Sequence, residues 1–117
     1  MRHNTWHLDV RREGTDGVVV VSIAGRAGHA SIDTLRDALR PCGETGMVVD
    51  LSGLDYIAGA GLAAVQEAAV EAAARGCAFV LCGIEGAVRN AFELAGILGE
   101  LRVEADLARA RARVREA

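Results

Sequence analysis

Four consecutive valines, Val18 to Val21, followed by Ser22, Ile23 and Ala24, constrain this chain more than any other stretch. β-branched residues placed side by side without polar alternation suit a strand that is covered on both faces. Such a strand needs other elements packed above and below it, and the rest of the chain must supply them.

The flanking segments do so. Before the valines, Trp6 to Arg12 alternates, with Trp6, Leu8 and Val10 on one side and His7, Asp9 and Arg11 on the other, which predicts a half-buried strand. Glu13 to Gly17 carries turn residues, so the two strands form an antiparallel hairpin. Gly25 to Ala30 reads as a loop, and Ser31 as the cap of a helix whose apolar stripe is Leu35, Ala38 and Leu39 and which Pro41 and Gly43 stop. Met47 to Asp50 is a short buried strand, and Leu51 to Ala58, with Gly53, is expected to be a connecting loop. Gly59 to Arg75 is a long Ala-rich helix closed by Gly76. Ala78 to Cys82 is a strand, and Glu85 to Leu94 a helix with Val88, Phe92 and Ala95 facing inward. Leu101 to Val103 is a last short strand, and Asp106 caps a helix bearing Leu107, Ala110 and Val114. The order β-β-α-β-α-β-α-β-α predicts an α/β fold in which strands after the hairpin run parallel. The 117 residues fit one domain spanning 1–117.

Composition excludes several functions. The net charge of −3 is the wrong sign for a nucleic-acid-binding domain. No apolar run approaches the ~18 residues of a membrane helix, and Met1 to Leu8 has no signal-peptide core, so a cytoplasmic protein that is not membrane-embedded is expected. Cys42, Cys77 and Cys82 lack metal-ligand spacing and read as small core hydrophobes. Cys77 and Cys82 should face opposite sides of one strand. The arginines Arg109, Arg111, Arg113 and Arg115 do not fall on one stripe and read as a solvated helix surface.

Catalytic chemistry finds no constellation. His3, His7 and His29 have no Cys or acid arranged as a base pair or metal site, and His3 and His7 are expected in solvent. His29 is either a partner contact or solvated. Asp50 ends a strand, where loop N–H groups can pair with it. No enzyme, metal or cofactor is expected. One motif points elsewhere. Gly59-Ala60-Gly61-Leu62-Ala63-Ala64 fits the G-x-G-x-x-A of dinucleotide-binding turns, with Glu85 where an acid would hold a ribose. Against it stand Gly53 and Asp55, which separate the motif from the strand expected to end at Asp50, and a chain too short for a complete dinucleotide-binding fold.

Five segments, in order, resemble the sulphate-transporter and anti-sigma-factor-antagonist (STAS) domain. They are VVVVSIAG from Val18, VVDLSG from Val48, DYIAGAGL from Asp55, GCAFVLCG from Gly76 and VRNAFELAGIL from Val88, and the match runs from Trp6 to about Arg115. The resemblance implies a mixed, mostly parallel sheet with helices packed mainly on one face. It also implies a non-catalytic interaction module whose partner is an anti-sigma factor, a kinase-like ATPase or another regulatory protein. Stand-alone domains of this family also serve as subunits of lipid-transport ATPases and of stress-signalling complexes.

In antagonists of this family a serine at the start of the second helix is phosphorylated by the partner kinase. A helix N-terminus tolerates the phosphate, while a docking face that must bury it does not. The resemblance places Gly59 at that position here. Ala58 stands where an acid usually precedes the serine, and Gly28 where the loop after the second strand usually carries an acid. The implied docking surface comprises Gly28, His29, Ser31, Ala58, Gly59, Ala60, Gly61 and Leu62, in a permanently uncharged state. Ser52, Tyr56, Ser31 and Thr34 are the remaining hydroxyls near it; Ser52 reads as a turn residue bonded to local backbone.

Overall fold

The computed structural model describes residues 7–15, 17–40 and 45–116. Trp6, His3, Pro41, Cys42 and Gly43 lie outside them. The described chain forms β1 (Leu8–Thr15), β2 (Val18–Ala27), α1 (Ile32–Ala38), β3 (Gly46–Ile57), α2 (Gly59–Ala74), β4 (Ala78–Cys82), α3 (Gly86–Ala95), β5 (Arg102–Glu104) and α4 (Leu107–Glu116), with 3₁₀ turns at His29–Ser31 and Leu98–Glu100. The expected element order holds. The strands make one five-stranded sheet in the order β1-β2-β3-β4-β5. β1 pairs antiparallel with β2, and every later neighbour is parallel.

The valine run is covered on both faces because alternate residues enter different cores. Val21 and Ile23 join Met47, Val49, Phe79 and Leu81 beneath α1, α2 and α3, which contribute Leu35, Val65, Val88 and Phe92. Val18 and Val20 join Val48, Val80 and Cys82 beneath α4, which contributes Ala110 and Val114. Three helices thus share one face and α4 alone takes the other. Cys77 packs against the first core and Cys82 sits in the second, as their parity predicts.

The helix ends follow local chemistry. Asp106 Oδ1 accepts the N–H of Arg109 at 2.9 Å and caps α4. Gly76, at φ +74°, closes α2, with Cys77 N–H donating to Ala72 and Gly76 N–H to Ala73.

Four expectations are corrected. Leu51–Ala58 is not a loop: β3 continues to Ile57. Its register on β2 slips twice, between Ser22 and Ala24 and between Gly25 and Arg26, each slip adding a residue to β3. Burial therefore recurs at Leu51, Leu54 and Ile57, every third residue rather than every second, and the strand looks irregular in sequence. Gly53 belongs to the first bulge, where a Cβ would meet that of Ala24 at 2.9 Å. Likewise, Gly25 to Ala27 belong to β2, so the expected Gly25–Ala30 loop shrinks to Gly28 and a 3₁₀ turn. Ser31 precedes α1 but its side chain makes no cap hydrogen bond; the preceding turn sets φ −104° and ψ 2° there, away from the extended geometry of an N-cap. Ala95 is exposed rather than inward, because α3 ends there and Gly96 turns the chain at φ +72°.

Candidate partner-docking site

The lengthened β2–β3 pair builds the candidate surface. Ala27 pairs with Ile57 at the end of the ladder, and Ala58 N–H donates to Ala27 carbonyl at 2.8 Å. Gly28 and Ala58, each one residue further on, leave the sheet side by side. Gly28 then opens the 3₁₀ turn, its carbonyl accepting from Ser31 N–H at 3.0 Å, and Ala58 opens α2, its carbonyl accepting from Gly61 and Leu62. The expected loop and helix start are therefore brought together by strand pairing.

Ala58 is the N-cap of α2, with extended geometry and no side-chain cap, since a methyl group cannot accept a hydrogen bond. Gly59, the first helical residue, is exposed, and a Cβ built there meets nothing within 4 Å. A Cβ at this position stands in open space. Gly61 is different: a Cβ there would lie 2.7 Å from Ile57 Cγ1 and 3.5 Å from Leu35. Gly61 is buried and serves helix–strand packing. Ala60 is half-buried, and Leu62 packs against the main core. Of the residues assigned to the surface, His29 and Gly59 are the exposed ones; Gly28, Ser31, Ala58 and Gly61 form its floor and frame.

A depression of about 330 Å³ lies between the two turns, lined by Gly28, His29, Ala30, Ser31, Tyr56 and Ala58. Its largest side chain is Tyr56, 37% exposed. The Arg26 guanidinium lies 5.0 Å from the centroid of that ring, within cation–π range. Sequence reasoning considered Tyr56 only as a hydroxyl and did not single out Arg26. The register pairs these two residues directly, and that register depends on the bulges. The surface is thus a shallow apolar dish beside an aromatic ring, a positive charge and the start of a helix. Gly28 and Ala58, which frame it, carry no carboxylate.

The other hydroxyls are dispersed. Ser52 and Thr34 are exposed, whereas Ser31 is only 9% exposed. Ser52 lies within β3 rather than a turn, and its N–H donates to Asp50 Oδ1 at 3.0 Å, the backbone pairing expected of Asp50. His7 does have an acid neighbour, contrary to expectation: its Nε2, one residue before β1, is 2.7 Å from Asp9 Oδ1. Both side chains are solvent-exposed. Among the described residues no group of three or more His, Cys, Asp or Glu is placed to hold a metal ion.

The dinucleotide-like motif also changes meaning. β3 does run directly into α2, so the expected separation from the strand is absent. The second glycine, Gly61, is nonetheless filled by the protein's own Ile57, and Ala64 is buried as a packing residue. Two of the three small residues are accounted for by helix packing.

Among the described residues, Cys82 is the one strongly perturbed titratable group. Burial, then the nearby carboxylates of Asp50 and Asp106, and a hydrogen bond to Asp50 push its thiol from an ordinary 9.0 to about 12. It is an inert core residue, not a nucleophile.

Comparison with known proteins agrees with the five sequence segments. The family model of the STAS domain matches residues 9–110. BtrV of Bordetella bronchiseptica, assigned to the anti-sigma factor antagonists, is 34% identical over 86 residues, covering 71% of this chain and 74% of that protein. Among solved structures, an anti-sigma factor antagonist from Mycobacterium paratuberculosis superposes with a TM-score of 0.81 at 23% identity, covering 93% of this chain and 95% of that one. The anti-sigma factor antagonist SpoIIAA in its unphosphorylated form superposes with a TM-score of 0.75 at 21% identity, covering 93% and 98%. This family is generally non-enzymatic, and the relationship supports a regulatory role exercised through protein interaction. BtrV, its relative there, is assigned to the anti-sigma factor antagonists, and the chain itself belongs to the STAS domain family.

Proposed function

We propose that this protein is a non-catalytic antagonist-like interaction module whose docking face is not switched by phosphorylation. One observation carries the reading: Gly59, the residue at the exposed start of α2, has open space around it and no hydroxyl. Nothing steric prevents a serine there, so the glycine is not demanded by packing in the way Gly61 is. The buried methyl of Ala58 and the backbone of Gly28 frame it without a carboxylate. A partner protein, an anti-sigma factor or kinase-like ATPase, docks over the dish between His29 and Gly59 and meets an apolar surface framed without a carboxylate or phosphate.

The test compares binding of the native protein and of Gly59→Asp to its partner by calorimetry. A carboxylate in the first turn of a helix is favourable to the helix, by about 0.3–1 kcal/mol. The variant therefore folds at least as well as the native protein, and weaker binding reports the docking face rather than unfolding. Affinity falling by about tenfold or more supports the reading, a cost of the size expected for desolvating one added charge. Undiminished binding places the partner elsewhere.

A further inference from the structure

The open edge of the sheet carries a pattern that the docking face does not explain. β1 is an edge strand of eight residues, and Asp9 to Gly14 are all exposed. Its ladder to β2 has no register shift. Arg26 N–H donates to His7 carbonyl at 3.0 Å, which makes His7 and Arg26 a hydrogen-bonded pair. Antiparallel ladders alternate, so Asp9, Arg11 and Glu13 also bond inward to β2. The N–H and C=O groups of Leu8, Val10, Arg12 and Gly14 consequently aim out of the sheet.

Side chains alternate too. Asp9, Arg11 and Glu13 stand opposite Ala24, Ser22 and Val20, on the face that α4 covers; Leu8, Val10 and Arg12 are on the other. Along the α4 face the edge reads His7, Asp9, Arg11, Glu13, an acid and a base in alternation. His7 already pairs with Asp9 at 2.7 Å. Among the described residues Val10 is one of four large apolar side chains left exposed, at 36%.

We propose that two copies of this chain pair antiparallel along β1, with the two-fold axis at Val10. The outward groups of Leu8, Val10 and Arg12 then complete a ladder across the axis, and the two Val10 side chains cover one another. Asp9 of each copy falls directly opposite Arg11 of the other, and His7 opposite Glu13. Asp9 and Arg11 each meet the opposite sign across the strand. Neighbouring registers are rejected: an axis at Asp9 or Arg11 sets that residue against its own copy, and one at Arg12 opposes the two Arg12 residues. Like charges directly opposed destabilise a pair, so the alternation rejects these three registers; an axis at Leu8 opposes no like charges but, among the described residues, brings only His7, Leu8 and Asp9 of each copy into the ladder. Charged residues on an edge usually keep strands apart; here their order makes the edge complementary to itself. The pairing leaves the face around Gly59 and His29 open, since it uses the sheet edge and not the helix start.

Sedimentation velocity on the full chain over a range of protein concentrations tests this. The expected result is a reversible monomer–dimer equilibrium that weakens as salt screens the exposed pairs. Val10→Pro removes an outward N–H that β2 does not use, and proline is tolerated at such edge positions. It should leave the circular dichroism spectrum unchanged and the protein monomeric. Arg11→Glu opposes two pairs of acids and should lower the association constant by about tenfold or more. Combining it with Asp9→Arg restores opposite signs and should restore association. A protein monomeric at every concentration overturns the proposal. So does a dimer that Arg11→Glu leaves intact, or an Asp9→Arg/Arg11→Glu variant that stays monomeric. Should Val10→Pro fail to fold, the two charge variants decide alone.

Discussion

Two glycines separated by one residue do different work. Gly59 faces open space at the start of α2, and Gly61 lies under Ile57. Neither has a positive φ, so each difference is one of room rather than backbone. Gly59→Ala is expected to stabilise the fold by about 0.4–1 kcal/mol through reduced freedom of the unfolded chain. Gly61→Ala should destabilise it by about 1–3 kcal/mol, because Ile57 must leave its rotamer or the helix must lift. Urea denaturation of the two variants reads the opposite signs. The sequence motif joined them as one glycine-rich turn because spacing alone does not distinguish an exposed helix start from a packing contact. Cys82 yields a second residue-scale prediction. Its folded-state pKa, about 12, lies above the ordinary 9.0, so the folded protein holds this proton more tightly than the unfolded chain does. Its contribution to stability is complete below pH 9 and is lost as pH rises from there towards about 12. Comparing urea midpoints near neutrality and at about pH 10.5, Cys82→Ala should lose less stability on alkalinisation than the native protein.

Among the elements, α3 shows how narrowly burial is divided. Phe92 is fully buried, while Leu94, two residues on, is 89% exposed. Phe92→Ala is expected to cost about 3–5 kcal/mol, and Leu94→Ala to stay within about 0.5 kcal/mol, both measured by thermal or urea unfolding. The 3.6-residue period made Val88 and Phe92 readable from sequence. The strands themselves were equally readable, because runs such as Val18–Ala24 and Ala78–Cys82 are short, apolar and bounded by turn residues. What periodicity could not reveal was the second half of β3. Two bulges set Leu51, Leu54 and Ile57 at intervals of three, and Gly53 and Asp55 between them carry turn-like composition. The strand there is held by its pairing with β2, a long-range contact that no local window contains. The same holds for Gly25 to Ala27 and for the stacking of Arg26 on Tyr56.

For the whole molecule, the register of β2 on β3 is what delivers Gly28 beside Ala58 and assembles one surface from segments thirty residues apart in sequence. That the loop after β2 and the start of α2 adjoin was expected from the family motifs; the shape they make was not, because the dish depends on Tyr56 and Arg26 arriving through the bulges. Fold and surface together support a protein that regulates by docking. The central claim is that this docking face carries no phosphorylation switch. A single Gly59→Ser substitution should not install an efficient one, since Ala58 and Gly28 supply no carboxylate beside the hydroxyl. The most direct measurement is the intact mass of the native protein after incubation with its partner kinase and ATP. An unchanged mass is the predicted result. Stoichiometric gain of one phosphoryl group, on Ser52, Tyr56, Thr34 or any other hydroxyl, would contradict it.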